Sequence, residues 1–124
     1  MKNTNGNTGK AGEAAAAEYL KEKGYLIHTL NYRSRYGEID IIAEKDGELV
    51  FVEVKTRKSA DFGSPCEYVT PAKMQRITAT AEYYEYVNET GLAPRFDVVE
   101  IITDKAGDLS DITINHIENA FESR

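Results

Sequence analysis

The sequence predicts an α/β domain in which helices pack on a mixed sheet of about five strands. Apolar residues recur at helical spacing over residues 8–23 and 70–89, and β-branched or aromatic runs lie between and after these segments. A hairpin pattern over residues 37–57 predicts antiparallel strands. The helix that separates this hairpin from residues 95–103 predicts a right-handed crossover between parallel strands.

The first elements are delimited by capping and stop signals. Thr8 is the predicted N-cap of a helix that Gly24 ends, and residues 25–32, rich in β-branched and aromatic side chains, form the first predicted strand. Residues 1–7 are polar and rich in Asn and Gly, so we expect a mobile tail there. Residues 8–124 then form a single domain, because no linker or internal repeat divides them.

The remaining elements complete the order α-β-β-β-α-β-β. The Asp-Gly dipeptide at residues 46–47 favours a two-residue turn between the hairpin strands. Thr70 and Pro71 are the predicted N-cap and first residue of the second helix, which we expect to end near Glu89. Residues 112–117 are the last predicted strand.

Charge and cysteine content limit the possible binding partners and the cellular compartment. The single Cys66 excludes an internal disulfide and fits a reducing setting. No apolar signal segment opens the chain and no later apolar run approaches a membrane span, so we expect a cytoplasmic protein without a membrane partner. The net charge is -6, but the acidic excess lies in residues 77–124, with ten Asp/Glu against three Lys/Arg. A local basic surface elsewhere can therefore coexist with the acidic total.

Charged residues are set into the hairpin where strands should be apolar. If residues 46–47 form the turn, Asp40 lies opposite Glu53 and Glu38 lies opposite Lys55, all on one face of the hairpin. Like charges in directly opposed positions destabilise a strand pair. The pair of carboxylates therefore requires a compensating partner.

Both faces of the hairpin are apolar, which predicts burial on both sides. One face is expected to carry Ile39, Ile41, Ala43, Val50, Val52 and Val54, and the other Ile42, Leu49 and Phe51. Buried carboxylates are costly unless protons, basic residues or a cation neutralise them, and carboxylate oxygens suit magnesium or manganese. The alternative is that the strands end there, the polar side chains face water, and Lys55 and Arg57 cancel the charge.

The first helix contributes another carboxylate in an unexpected position. On a helical wheel Glu13 lies with Ala16 and Leu20 on the apolar stripe, whereas Glu18 and Glu22 fall on the far side. A solvated helix would be expected to keep its acidic residues together on the polar face. Glu13 is therefore predicted to point inward, toward the same site.

Sequence motifs along nearly the whole chain resemble a known family. The motifs are GKAGEAAAAEYL, NYR, GEIDIIA, VFVEVKTR, the helix that carries Lys73, RFDVVEI and HIENAF. In this order they resemble the YraN-like family of predicted endonucleases. That family is similar to the restriction-endonuclease-like superfamily with the PD-(D/E)xK pattern, and to archaeal Holliday-junction resolvases. Ile39 stands where the superfamily pattern has proline.

The resemblance implies a restriction-endonuclease-like α/β/α core and a role for each hairpin carboxylate. Asp40 would be the central metal-ligand aspartate, and Glu53 with Lys55 would form the ExK element. Glu13 matches the helical glutamate of the resolvase-like branch, and the backbone carbonyl of Val54 would complete the metal shell. The implied cofactor is magnesium or manganese.

These residues lead to the hypothesis of a metal-dependent endonuclease acting on DNA, with branched DNA among the expected substrates. Lys55 would orient the attacking water or stabilise the transition state, and its alternative role is a salt bridge to Glu38. The candidate phosphate contacts are Arg33, Arg35, Arg57, Lys58 and Lys73. Because nothing resembles a base-reading motif, we expect structure-selective binding with a steep dependence on salt.

Aromatic and polar residues outside the hairpin have structural interpretations beside functional ones. Tyr83, Tyr84 and Tyr86 could stack on bases, although packing of the helix on the sheet explains Tyr84 more simply. Arg95 and Asp97 share a strand face, where a structural ion pair is preferred over substrate contact.

Two other functions fit the sequence less well. A non-catalytic nucleic-acid-binding module in DNA repair or recombination would be expected to lack an acidic ligand or Lys55, yet all four positions are occupied. A protein-interaction domain that uses the acidic last third would leave Glu13 and the Asp40/Glu53 pair unexplained. A homodimer is expected by analogy with resolvases alone, since two symmetric cuts need two sites.

Overall fold

A computed structural model describes the backbone of residues 3–59, 69–104 and 111–122, with side chains from residue 9 onward. Its elements are α1 (Asn3–Glu22), β1 (Leu26–Ser34), β2 (Gly37–Lys45), β3 (Glu48–Lys58), α2 (Pro71–Asn88), β4 (Ala93–Thr103) and β5 (Thr113–Phe121). This is the predicted element order. Cys66 and most of the segment between β3 and α2 lie outside the described residues.

The five strands form one sheet in the order β1-β2-β3-β4-β5. Only β3 and β4 are parallel, and α2 makes the crossover between them. Helix α1 packs through Ala16 and Leu20 on one face, and α2 packs through Ile77, Ala81 and Tyr84 on the other. The predicted mixed sheet with flanking helices is confirmed. Neither helix, within the described residues, is long and apolar enough to cross a membrane.

Helix α1 begins earlier than the capping signal predicts. The helix starts at Asn3, so Thr8 lies inside the helix rather than at its N-cap, and residues 3–7 are helical. Extending an existing helix costs far less than nucleating one, which allows even Asn- and Gly-rich residues to continue it. Gly24 does end the helix region, with φ +95° and a hydrogen bond from its backbone N–H to the Lys21 carbonyl.

The hairpin has the predicted turn and register. Asp46 and Gly47 have φ values of +52° and +82°, as a type I′ turn requires. Strand pairing then runs from Lys45 opposite Glu48 to Ile41 opposite Val52. All of these pairs follow the predicted register.

The predicted alternation of faces fails at Ile39. This side chain packs in the cluster beneath α2 instead of with Ile41 and Val52 beneath α1. Regular pairing between β2 and β3 has ended at that point, and the Asp40 carboxylate, through Oδ2, accepts the Val54 backbone N–H at 2.8 Å. The Asp40 side chain thus bonds the Val54 N–H in place of a backbone carbonyl of β2. The regular alternation of side chains that starts at the turn therefore no longer determines which face Ile39 occupies.

Helix α2 agrees with the sequence prediction at both ends. The Thr70 hydroxyl accepts the Lys73 backbone N–H at 3.2 Å, and Pro71 is the first helical residue. The helix ends at Asn88, followed by Glu89 in the left-handed conformation.

The last strand is longer than predicted. It continues beyond residue 117 to Phe121, whose ring stacks on Phe96 at 5.1 Å between centroids. The polar residues after 117 interrupt the apolar pattern by which the sequence predicts a strand. The register between β4 and β5 also shifts between Phe96 and Val98, and Asn119 has a positive φ of +53°.

Candidate functional site

The site is built where β2 and β3 separate. Asp40 lies just beyond the last paired residue of β2, and Glu53 follows the last paired residue of β3. Both residues are partly buried, and only 12% of the Glu53 side chain is exposed. The sequence thus places two acidic side chains where the surrounding strand residues are apolar and enclosed.

Burial and the neighbouring charge of Glu53 keep Asp40 protonated. Burial, followed by the charge of Glu53, raises the pKa of Asp40 to about 8, and Glu13 adds to the increase. The Val54 backbone N–H and Lys73 oppose this increase in pKa without cancelling it. Burial also raises the pKa of Glu53, against the opposing effect of Lys73. The two carboxyls therefore cannot both be ionised at neutral pH without a further positive charge.

The stability of the cation-free protein is expected to fall as pH rises from about 4 to 8. In the unfolded chain Asp40 loses its proton near its ordinary pKa of about 3.9, whereas the folded protein retains it up to about pH 8. The folded state therefore binds more protons across this window, and the free energy of unfolding decreases with pH. Thermal unfolding in a chelating buffer at pH 5 and pH 8 measures the effect.

The matched comparison for this pH dependence is Asp40→Asn against Glu18→Gln. Asparagine keeps the shape of Asp40 and can still accept the Val54 N–H, so Asp40→Asn should flatten the fall in stability. Glu18 is exposed, and its variant should follow the wild type. An unchanged pH profile in Asp40→Asn would show that Asp40 is not the group that retains the proton.

Lys73 is the cation that meets Glu53 directly. Its ammonium group forms an ion pair with Glu53 Oε2 from the first turn of α2, and 38% of the Lys73 side chain is exposed. The sequence indicates Lys73 only as a phosphate contact. The structure brings it into the carboxylate cluster, since Lys73 lies in the Thr70-capped first turn of α2 and its ammonium group reaches Glu53 on β3.

Glu13 reaches the cluster through its charge. It is partly buried, whereas Glu18 and Glu22 are exposed, which confirms the predicted difference between the two helix faces. Helix α1 lies so close to β3 that a Cβ at Gly12 would come within 2.2 Å of Thr56 Oγ1. The charge of Glu13 contributes to the raised pKa values of both Asp40 and Glu53.

Lys55 and Arg57 continue along β3 on the same face as Glu53. Lys55 is partly buried and lies beside Glu100 in the parallel register. The Arg57 side chain is engaged by Glu100, since its Nε donates to Glu100 Oε2 at 2.6 Å. Glu100 is fully buried and also accepts from Asn115 at 3.3 Å. Arg57 is thus held within the sheet, although the sequence indicates it as a phosphate contact.

The other predicted basic residues lie on the surface. Arg33 pairs with Glu38 at 3.1 Å, and both side chains are largely exposed. Arg35 stacks against Tyr36, and Lys58 is exposed at the end of β3. A polar cavity of about 530 Å³ lies between the start of β2 and α2, adjacent to Lys73. Its lining residues are Arg33, Ser34, Gly37, Glu38, Lys73, Arg76 and Ile77.

Sequence reasoning missed several buried polar partners. It did predict the Arg95–Asp97 ion pair, which is confirmed by contacts of 2.9 and 2.7 Å. It did not identify His116, which contacts the fully buried Asp97 carboxylate at 2.7 Å, or Glu100 as the partner of Arg57. A single Glu within the apolar run VVEII was the available signal for Glu100.

The carboxyl groups fit a divalent cation in donor type and charge. Asp40 and Glu53 supply carboxyl oxygens in a partly buried setting, where they cannot both ionise without a further positive charge, and both features suit magnesium or manganese. Within the described ranges, however, no three His, Cys, Asp or Glu side chains are already gathered as a metal-binding group. The fit therefore rests on the chemistry of the donors.

The fold and this site define a class of protein: an α/β domain with a mixed sheet and a coupled carboxylate pair where its central hairpin opens. The chain belongs to the uncharacterised protein family UPF0102, whose model matches residues 12–101. This confirms the resemblance to the YraN-like family.

Its relatives match along nearly their whole length. A UPF0102 protein of Clostridium novyi is 44% identical over 122 residues, covering 98% of this chain and all of the relative. The Clostridioides difficile protein is 45% identical over 118 residues, covering 94% and 98%. The Syntrophomonas wolfei protein is 46% identical over 123 residues, covering 94% and 99%.

Proposed function

We propose that this protein is a divalent-cation-dependent endonuclease that hydrolyses phosphodiester bonds in DNA. The observation that carries the proposal is the Asp40/Glu53 pair, in which burial and repulsion raise both carboxyl pKa values. Although Asp40 accepts the Val54 N–H and Glu53 pairs with Lys73, placing two carboxyls there is costly for the fold, because both groups are hard to ionise. Strongly perturbed carboxyls in one cluster are typical of functional sites.

Asp40 and Glu53 hold the cation in this proposal. Glu13 acts from α1, directly or through water, and the Val54 carbonyl contributes a further oxygen. A bound magnesium or manganese ion would lower the pKa of a coordinated water and neutralise charge on the scissile phosphate. The PD-(D/E)xK resemblance assigns the same roles to these residues.

The two lysines beside the pair have different roles. Lys73 neutralises Glu53 in the cation-free protein through its ion pair. With the cation bound, its exposed ammonium group is available to a phosphate at the same place. Lys55 lies on the same face of β3 as Glu53 and stabilises negative charge that develops on the phosphate.

DNA backbone contacts come from cations on the protein surface. Arg33, Arg35, Lys58 and Lys73 position phosphates, whereas Arg57 supports the site through Glu100. No helix or strand that the structure describes presents a base-reading motif, so structure rather than sequence selects the substrate. Branched DNA is the proposed class, and two symmetric cuts at a junction would require a homodimer.

One observation favours a second function, a nucleic-acid-binding accessory module that does not cut. Lys73 already neutralises Glu53, so the described cluster can keep one carboxylate ionised without a cation. In that case the basic cavity binds DNA and the carboxyl cluster serves only to place Lys73. The two functions differ in whether a cation is required.

Cleavage of labelled linear, flapped and four-way-junction DNA, with magnesium, manganese or chelator, tests the proposal. The wild type should cut only with a divalent cation, and Glu53→Ala should bind DNA without cutting. Equal cutting by Glu53→Ala would remove Glu53 from the mechanism. DNA binding without cutting by the pure wild type under every condition would support the accessory module.

A further inference from the structure

Two tyrosines form an exposed aromatic pair outside the carboxylate site. Tyr36, in the turn between β1 and β2, is 37% exposed, and Tyr83, on α2, is 40% exposed. Their ring centroids lie 5.8 Å apart with an interplanar angle of 53°. The neighbouring Tyr84 is instead buried, with its hydroxyl 3.0 Å from His28 Nδ1. Tyr36 and Tyr83 therefore present ring surface that the core does not use.

The backbone holds this aromatic pair in place. Gly37 follows Tyr36 with φ +149°, and a Cβ there would lie 3.2 Å from Thr80 Oγ1 and 3.3 Å from Arg76 Cβ. Thr80 is fully buried and donates to the Arg76 carbonyl at 2.8 Å. The turn is thus seated directly on α2, which fixes Tyr36 relative to Tyr83.

Cations lie beside the pair and connect it to the carboxylate site. The Arg35 guanidinium is 5.1 Å from the Tyr36 ring centroid. Lys73, Arg76 and Tyr83 recur at helical spacing along α2, and the first two line the 530 Å³ cavity. Arg76 makes no ion pair with any residue that the structure describes.

This surface has a definite direction and length. It begins where Lys73 meets Glu53 and ends at the aromatic pair. Tyr83 lies ten positions after Lys73 in the helix, a span of about 15 Å along the axis of α2. That distance accommodates a few nucleotides. We name the surface formed by Arg33, Tyr36, Lys73, Arg76 and Tyr83 the tyrosine–arginine track.

We infer that the tyrosine–arginine track binds unpaired DNA nucleotides, with bases stacking on Tyr36 and Tyr83 and phosphates contacting Arg33, Lys73 and Arg76. The inference rests on the proposed function, because the track leads to Glu53. Aromatic rings combined with a cationic groove are the usual features of single-strand binding. In a duplex the base faces are covered by their neighbours, so exposed tyrosine rings gain no stacking from it. The track therefore assigns a substrate class, DNA with a single-stranded segment beside the cleavage point.

Equilibrium binding in chelator tests the track without involving cleavage. Lys73 stays paired with Glu53 under that condition, so the tyrosines, Arg33 and Arg76 carry the binding that is measured. The probes are a fluorescent oligothymidylate, an abasic strand of the same length and a blunt duplex, measured by anisotropy. Tyr36→Leu combined with Tyr83→Leu should weaken oligothymidylate binding about tenfold or more and leave the abasic strand unaffected. Tyr36→Phe with Tyr83→Phe should retain binding, because the rings remain. Tyr86→Leu is the matched control, since Tyr86 is 79% exposed on the same helix but outside the track.

Arg76→Gln separates phosphate contact from stacking. It should weaken binding of both the oligothymidylate and the abasic strand, and reduce the slope of log affinity against log salt by about 0.7.

The track is wrong if the double leucine variant binds oligothymidylate as the wild type does, if that variant loses affinity equally for the oligothymidylate and the abasic strand, or if the wild type prefers the duplex. Those outcomes would contradict the track but not the proposal of cation-dependent cleavage. Conversely, a wild type that binds single-stranded DNA through the track but never cuts would contradict the proposed nuclease activity and not the track.

Discussion

Glu53→Gln is expected to lower cation-dependent DNA cleavage by on the order of a thousandfold or more while the protein stays folded. The substitution keeps the size of the side chain and its ability to accept from Lys73. It removes the charge that would hold the cation. Initial cleavage rates at saturating magnesium, compared at equal protein concentration, measure the effect.

Two further variants serve as comparisons for the cleavage rate of Glu53→Gln. Asp40→Asn should lose cleavage to a similar extent, because the pair acts as a unit and the effects of such residues are not additive. Glu18→Gln changes an exposed carboxylate on α1 and should cleave as the wild type does. Wild-type cleavage by Glu53→Gln, at equal purity, would contradict the assignment of the site.

Asp97→Ala is expected to lower the free energy of unfolding by about 3–5 kcal/mol. The carboxylate is fully buried and accepts from Arg95, from His116 and from the Asn119 backbone N–H, the last at 3.0 Å. Of the described partners of the Arg95 charge, alanine would leave Glu48 and the Tyr25 hydroxyl. Urea unfolding followed by circular dichroism measures the loss.

The pH dependence of this network has the opposite sign to that of Asp40. Burial would raise the pKa of Asp97, but hydrogen bonds from His116, Arg95 and Asn119 outweigh it and lower the pKa. Its stabilisation is therefore present above the ordinary pKa of about 3.9 and is lost as pH falls below that value. Asp97→Ala should lack this acid-dependent component. Glu22→Ala, an exposed substitution on α1, should leave stability nearly unchanged, and an equally small effect in Asp97→Ala would show that the network contributes little.

Local sequence signals predicted the hairpin well because its geometry is set by a short turn. The Asp-Gly dipeptide permits two successive positive φ values, and the turn then fixes the register as far as Ile41 opposite Val52. The electrostatic proximity of Asp40 and Glu53 follows from that register. The prediction for Ile39 fails one step further, where the Asp40 side chain replaces a backbone partner.

The charge partners could not be predicted because they depend on how distant elements dock. Lys73 meets Glu53 only once α2 is seated on the sheet, and Arg57 meets Glu100 only once β3 lies beside β4. Residue type and spacing indicate that such cations are available, but not which carboxylate each one selects. The Tyr36–Tyr83 pair has the same origin, since Gly37 brings the turn against α2.

Calorimetric titration of magnesium or manganese into the wild type and Asp40→Asn tests the cation site most directly. At pH 7 the Asp40 carboxyl retains its proton without a cation, so binding to the wild type should be saturable and should release protons. Buffers of different ionisation enthalpy reveal that release. Asp40→Asn should bind far more weakly and release no proton from this position. Saturable binding of equal strength in both proteins, or no saturable binding to the wild type, would contradict a cation site at Asp40 and Glu53.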